Sequence, residues 1–449
     1  MESSYTPWRL LWRYLGGAAA SRAGDEMTGP ALLLLGFAVT GRPATGSALL
    51  AALTVAAAVG GPLFGALLDR NPRPDRVLAL TLAAYAVGVV CVAAAMGRLP
   101  LPVVVLIALA AGLFNPAVAA GWTAQLPRVV TGPALSRGFA LDAMTYSVAS
   151  LAGPALAGVI AVGLGARTAV IVAAALVMLA VPSACWLSRY PPAPASGPRP
   201  VPYRQVAAGF AAIVTRRSLL RATVTSVVSY AGIGMLLVCC PVLGAQRLGG
   251  SARGALLISA IAAASLVVNW MLARRPQRGQ PDVRVLVSTL VIGVSMAAAA
   301  VAPGWLTLAA VALGGAGEGP QLTALFAVRH RESPEHMRGQ IFTTAASLKI
   351  GGMAAGAALA GPLAGRSVTV CLLIAAGFEL CAAAAYVLAG SRSTEPAAGT
   401  TARSVSLKTC VPSGGRPVRT AHPCLRPSGW AAFFVLSRAP SVRTIRRGP

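Results

Sequence analysis

Apolar runs of about 20 residues recur along most of this chain, and that is the length an α-helix needs to cross a bilayer. Of 449 residues, 56% are hydrophobic and only 11% are charged. A soluble domain carries about 25% charged residues, so a soluble fold around one very large core is set aside. The runs predict an all-α membrane protein whose helices cross the bilayer many times.

Twelve transmembrane helices are read, near residues 12–39, 45–68, 77–97, 102–124, 139–163, 167–188, 219–244, 252–273, 284–302, 304–327, 343–364 and 368–389. Trp8, Trp12, Trp122, Trp186, Trp270 and Trp305 fall near span ends, where an interfacial aromatic belt sits. The net charge of +26 raises nucleic acid as a partner, but its distribution points to a membrane instead. Alternate connections carry 18 and six Lys/Arg respectively. Basic loops stay in the cytoplasm, so both termini are expected there, in a multi-pass protein of the cell (inner or plasma) membrane. No base-stacking aromatics accompany the basic residues, so nucleic acid is not an expected partner. Arg13 interrupts the apolar stretch before Ala18–Ala20, so the first span is expected to stay as an anchor rather than be cleaved.

The expected organisation is two six-helix halves, residues 1–189 and 218–390. Between them lies a cytoplasmic linker, 190–217, and after them a basic tail, 391–449, expected to be disordered. The linker opens with the Pro-rich PPAPASGPRPVP, which does not form a helix. Tyr203–Val214 then reads as a short amphipathic helix on the membrane surface. A pseudo-repeat relates the halves. AGPALAG at Ala152–Gly158 returns as AGAALAG 203 residues later, Arg137-Gly138 returns at Arg338-Gly339, and Asn115-Pro116 falls opposite Gly319-Pro320. Parallel repeats of this kind are one plan of secondary transporters.

The densest charge cluster lies in GALLDRNPRPDR, Gly65–Arg76, between spans two and three. Gly65 permits close helix approach. Asp69, at a helix end, is placed to accept hydrogen bonds from a neighbouring helix N-terminus and to pair with an Arg. Such a latch holds one side shut in one state and breaks in the other. Asp142, following Arg137 just inside span five, is a candidate for the same cluster. The plain alternative is a solvated charge set that serves topology alone.

These residues resemble the major facilitator superfamily over roughly residues 8–390. The family pattern between spans two and three is G-x-x-x-D-R-x-G-R-R/K. Gly65, Asp69, Arg70 and Arg73 match it, while Pro72 and Pro74 depart. In span five Gly153, Pro154 and Gly158 match a G-P-x-x-G-G pattern that resembles the drug:proton antiporters, and Ala157 departs. The resemblance implies alternating access by rocking of two halves, a gating role for these residues, and export of a small molecule. The plain reading of Gly153–Gly158 is a small-residue packing seam.

Of twelve carboxylates, Asp25, Glu26, Glu318 and Glu379 lie deep in spans, as does Lys349. A central charge costs about 2.5–3.5 kcal/mol on insertion, so such residues face partners or a water-filled cavity. Arg22, Asp25 and Glu26 are spaced to share one helix face, either as an internal ion-pair set or as a site with one acid left over for a proton or cationic substrate. Glu318 lies in GGAGEGPQL, where Gly and Pro suggest a broken helix lining a cavity. Asn115 holds the repeat-related place. A pair with Lys349 is the structural alternative for Glu318. Glu379 is expected to be peripheral, because the last span of each half packs outside in the family.

Eight Cys without CxxC, and three scattered His, form no metal or disulfide framework. No P-loop is present, and no nucleophile–base arrangement. No cofactor and no enzymatic activity are expected. The leading expectation is a secondary exporter of a small, partly hydrophobic molecule, such as a drug or secondary metabolite, against proton entry. The alternatives are an uptake symporter for a small nutrient and, from another class, a non-transporting sensor or scaffold. A monomer is compatible with all of these.

Overall fold

The computed structural model describes residues 6–189, 202–250, 253–274 and 280–391. The Pro-rich start of the linker and nearly all of the basic tail lie outside the described residues. Among the described residues the chain is helical nearly throughout and contains no strand.

The first half runs α1 (Thr6–Thr40), α2 (Pro43–Arg70), α3 (Pro74–Ala95), α4 (Leu101–Gly112), a π-helical turn (Ala117–Gly121), α5 (Trp122–Val129), α6 (Ala134–Leu164), α7 (Ala166–Leu179) and α8 (Val181–Cys185). After α9 (Pro202–Thr215) the second half runs α10 (Arg217–Arg247), α11 (Gly254–Arg274), α12 (Pro281–Val301), α13 (Leu306–Glu332), α14 (Arg338–Arg366) and α15 (Val368–Ser391). Each expected span coincides with one of these rods, span four being α4 to α5 and span six α7 to α8. Pro in the first turn starts α2, α3, α4 and α12, where its missing N–H is not needed. Gly97 and Gly165 end turns at φ 82° and 90°, a backbone region that favours glycine.

Among the described residues, nine helices are long and apolar enough to cross a membrane on composition alone. α1, α13 and α14 fall short of that measure, and they are the three that carry Arg22, Asp25, Glu26, Glu318 and Lys349. Their polarity is spent inward. Large apolar side chains such as Leu80, Val159, Val162 and Val301 stay exposed instead, the kind of surface that lipid covers.

One buried cluster draws on first-half residues from Leu11 to Leu187, joined by Leu322, Phe326, Phe342 and Ala346. A second lies wholly between Tyr230 and Ala376. α2 and α14 form the main seam between the halves. Thr343 Oγ1 donates to Gly61 O at 2.8 Å, Ser347 Oγ donates to Ala57 O at 2.6 Å, and Gly61 N–H donates to Ser347 Oγ at 3.0 Å. A side chain at Gly61 or Gly65 would collide with Ser347 or Thr343, so both glycines are there for close approach. α6 adds Ser147 against Ser265 of α11 at 2.9 Å and Phe139 against Phe326 of α13.

Three expectations are corrected here. Trp122 is not interfacial: it is fully buried and meets Tyr14 edge-on at 5.6 Å. The helix around Glu318 is not broken, since α13 continues through Pro320. The break falls in the repeat-related span instead, at Leu113–Pro116, where Pro116 has no N–H to give and a π-turn follows. In span five only Gly153 makes a close approach, to Glu26 and Met27 of α1. Pro154 is exposed, and a Cβ at Gly158 would touch nothing.

Candidate functional site

Three groups of polar residues can be followed from the loop face inward. At the end of α2, Asp69 accepts hydrogen bonds from the backbone N–H groups of Gly339 and Gln340, both at 2.7 Å. These are free donors at the N-terminus of α14, where an anion is favoured twice, by hydrogen bonds and by the helix dipole. Arg128 and Arg338 supply the positive field around it. Arg70 is half-buried and Arg73 exposed, and neither forms an ion pair among the described residues.

Asp142 is not part of that group. It lies fully buried and pairs with Arg22 at 2.8 Å. Tyr14 and Thr123 donate to its two oxygens at 2.8 and 2.7 Å. Arg22 also donates to Thr123, Thr145 and the carbonyl oxygens of Ala119 and Asp142, and it stacks over Tyr146 at 3.7 Å. So Arg22 does not share its face with Asp25 and Glu26 as expected. The fork of the guanidinium finds more acceptors on Asp142, Thr145, Thr123 and Ala119 of other segments than on a neighbour along its own helix.

The third group sits at mid-span. Asp25 Oδ1 accepts from Tyr85 Oη at 2.6 Å and from Asn115 Nδ2 at 2.5 Å. Asn115 is presented by the broken end of α4. Next along α1, Glu26 is exposed to solvent, with Ser150 of α6 donating to it at 3.5 Å. Asp25, Glu318 and Lys349 are half-buried. Tyr230 of α10 donates to Glu318 at 3.4 Å. Lys349 Nζ lies 4.2 Å from the centre of the Tyr230 ring and 5.6 Å from that of Tyr146. The Glu318–Lys349 pair does not form among the described residues. The ammonium rests on two aromatic faces, and its field reaches both Glu318 and Glu26. Thus acids from α1 and α13 and an amine from α14, none of them fully buried, lie within electrostatic reach of one another.

A sequence model of the Major Facilitator Superfamily matches residues 14–357. The chain belongs to the Major Facilitator Superfamily. Members of this superfamily are transporters rather than enzymes. An uncharacterized MFS-type transporter, y4rN, of Sinorhizobium fredii is 27% identical over 375 residues, covering 81% of this chain and 91% of that one. The human organic anion transporter MFSD10 superposes with a TM-score of 0.67 at 16% identity, over 85% of this chain and 99% of that one. The Escherichia coli fucose:proton symporter FucP gives 0.65 at 15% identity, over 88% and 100%. At such identities the two structures speak for the fold alone.

Within the superfamily fold, several polar residues escape the sequence reading. Tyr85, Tyr146 and Tyr230 carry no charge, so nothing marks them among apolar neighbours. Arg329, counted with the loops, is 2% exposed on α13, and its Nε and Nη2 have no partner among the described residues. Glu379, expected to be peripheral, is fully buried beside Ser229.

Proposed function

We propose that this chain is a proton-driven exporter of a small, partly hydrophobic molecule, of the drug:proton antiporter type, in the cell membrane with both termini cytoplasmic. Residues 1–189 and 218–390 act as two rocking bundles, joined by residues 190–217, and the basic tail 391–449 is dispensable. The observation that carries this reading is the meeting of Glu26 and Glu318 around Lys349. Two acids against one amine leave one carboxylate to exchange between a proton and the cargo. Tyr146 and Tyr230 border the same space and serve an aromatic cargo. Asp25, braced by Tyr85 and Asn115, is the second acid offered to the proton.

Everted vesicles from an efflux-deficient host test the coupling, with a susceptibility panel first choosing the probe compound. Uptake that collapses with the proton gradient is expected. Uptake indifferent to the gradient ends the antiport reading, and accumulation in intact cells instead turns it into symport.

Asp69 is proposed as the latch, since its two bonds tie α2 to α14 on one face only. Asp69→Asn keeps one acceptor and loses the charge. A hydrogen bond to a charged group is worth about 1.5–3 kcal/mol, so the closed-to-open ratio on that face should fall about tenfold or more. Transport is expected to drop several-fold at unchanged membrane level, read by vesicle uptake beside an immunoblot. Unaltered uptake reduces the loop to a topology signal.

A further inference from the structure

The core of the second half holds a polar cluster that the cavity does not use. Glu379 on α15 is fully buried, and its Oε1 accepts from Ser229 Oγ at 2.9 Å. Gln321 of α13 donates through Nε2 to Ser229 Oγ at 3.1 Å and to Thr289 Oγ1 at 2.8 Å. Ser229, Thr289 and Gln321 are fully buried too. Glycines make the room: a Cβ at Gly293 would lie 3.1 Å from Glu379 Cβ, and one at Gly232 3.3 Å from its Oε1. Glu379 Oε2 and Gln321 Oε1 have no hydrogen-bond partner among the described residues. No Lys, Arg or His among them forms an ion pair with Glu379. The titratable side chain whose charge reaches it is Glu318 of α13. α10 and α12 face it with Ser229, Thr289 and glycine.

A bare carboxylate in such a place is an uncompensated charge away from water, which one serine hydroxyl does not offset. A bound cation has to cancel it. A hard metal ion asks for about six oxygen ligands. Here Gln321 turns its amide N–H groups towards both hydroxyls, which leaves two free oxygens. That is enough for a proton and too few for a metal ion.

We propose that Glu379 is a second proton-binding site, buried in the core of the second half and coupled to Glu318 in the cavity. Ser229 adjoins Tyr230, which donates to Glu318, and Gln321 lies one helical turn beyond Glu318 on α13. The repeat supports the assignment. Asp25 and Ser229 are 204 residues apart, as are Tyr85 and Thr289. Both halves therefore place a polar cluster at the same point, with the acid on α1 in the first and on α15 in the second. The coupling to Glu318 rests on the proton-exchange reading above; the protonation of Glu379 does not.

Infrared difference spectroscopy on the full-length protein in phosphatidylethanolamine/phosphatidylglycerol vesicles tests this without a cargo. At neutral pH a protonated-carboxyl C=O band is expected that is lost in Glu379→Gln, is retained but shifted in Ser229→Ala, and is the same in NaCl and KCl. Glu318→Gln is expected to shift it as well. A spectrum unchanged by Glu379→Gln overturns the site, and so does a band that Na⁺ removes. If Glu379→Gln does not fold, a band whose frequency Ser229→Ala leaves unmoved overturns it equally. A band indifferent to Glu318→Gln overturns the coupling. Failure of the vesicle antiport test with these bands in place counts against proton-driven export alone.

Discussion

Arg22→Leu is expected to cost this protein about 3–5 kcal/mol of stability, the range for breaking a buried ion pair from one side. The reason is what stays behind. Asp142 keeps Tyr14 and Thr123 as donors, but its charge is then held in a fully buried site without a cation. Three segments lose an anchor together, because Arg22 ties α1 to α5, to α6 and to the carbonyl of Ala119 in the π-turn. The loss is to be read as a lowered thermal midpoint and reduced monodisperse yield in detergent. Arg22→Leu with Asp142→Leu is expected to recover most of it, since removing both charges removes the desolvation cost as well. A single variant with the wild-type midpoint would show that the pair does not brace the first half.

The same pair shows where sequence reading stops. Length and apolarity account for nine of the spans outright among the described residues, because in a membrane those two properties set the element, while α1, α13 and α14 are diluted by the charges they carry. Asp69 was legible for a similar reason: a charge at a helix end one turn after a glycine has few places to go, and it reached the N-terminus of α14. Arg22, Asp25 and Glu26 were legible as intramembrane charges but not as partners. Helical spacing brings them onto one face, yet Asp142, Tyr85 and Asn115 approach from other spans and separate them. Which residues meet across the bundle depends on helix rotation, and periodicity along a nearly uniform apolar helix records little of it. Glu379 misled for the same cause. Its span is peripheral in order, but its face turns towards α10 and α12, where Gly232 and Gly293 leave room for a carboxylate. The position of Ser229 and Thr289 relative to Asp25 and Tyr85 was a usable signal, but only once the repeat was applied to hydroxyls as well as to charges.

Lys349→Met is expected to reduce transport about 30-fold, with the protein still inserted. Methionine keeps most of the length and the apolar stem, so the contact with the Tyr146 and Tyr230 rings is largely preserved. Only the ammonium is lost. Glu26 from the first half and Glu318 from the second then face one space without the cation whose field reaches both. Either they repel, which opposes closure of the halves around cargo, or both hold protons, and no carboxylate is free to exchange one. A cation held against aromatic faces is worth about 2 kcal/mol, which corresponds to roughly 30-fold. Lys349→Arg keeps the charge and is expected to retain measurable transport. Lys349→Met with Glu26→Gln returns the space to one uncompensated acid, Glu318, as in the wild type, and should restore cargo exchange together with its dependence on the proton gradient. Gradient-driven uptake and counterflow, measured side by side in the vesicles chosen above, separate these outcomes. Gradient-driven uptake at the wild-type rate in Lys349→Met would place both the amine and the two acids outside the transport path.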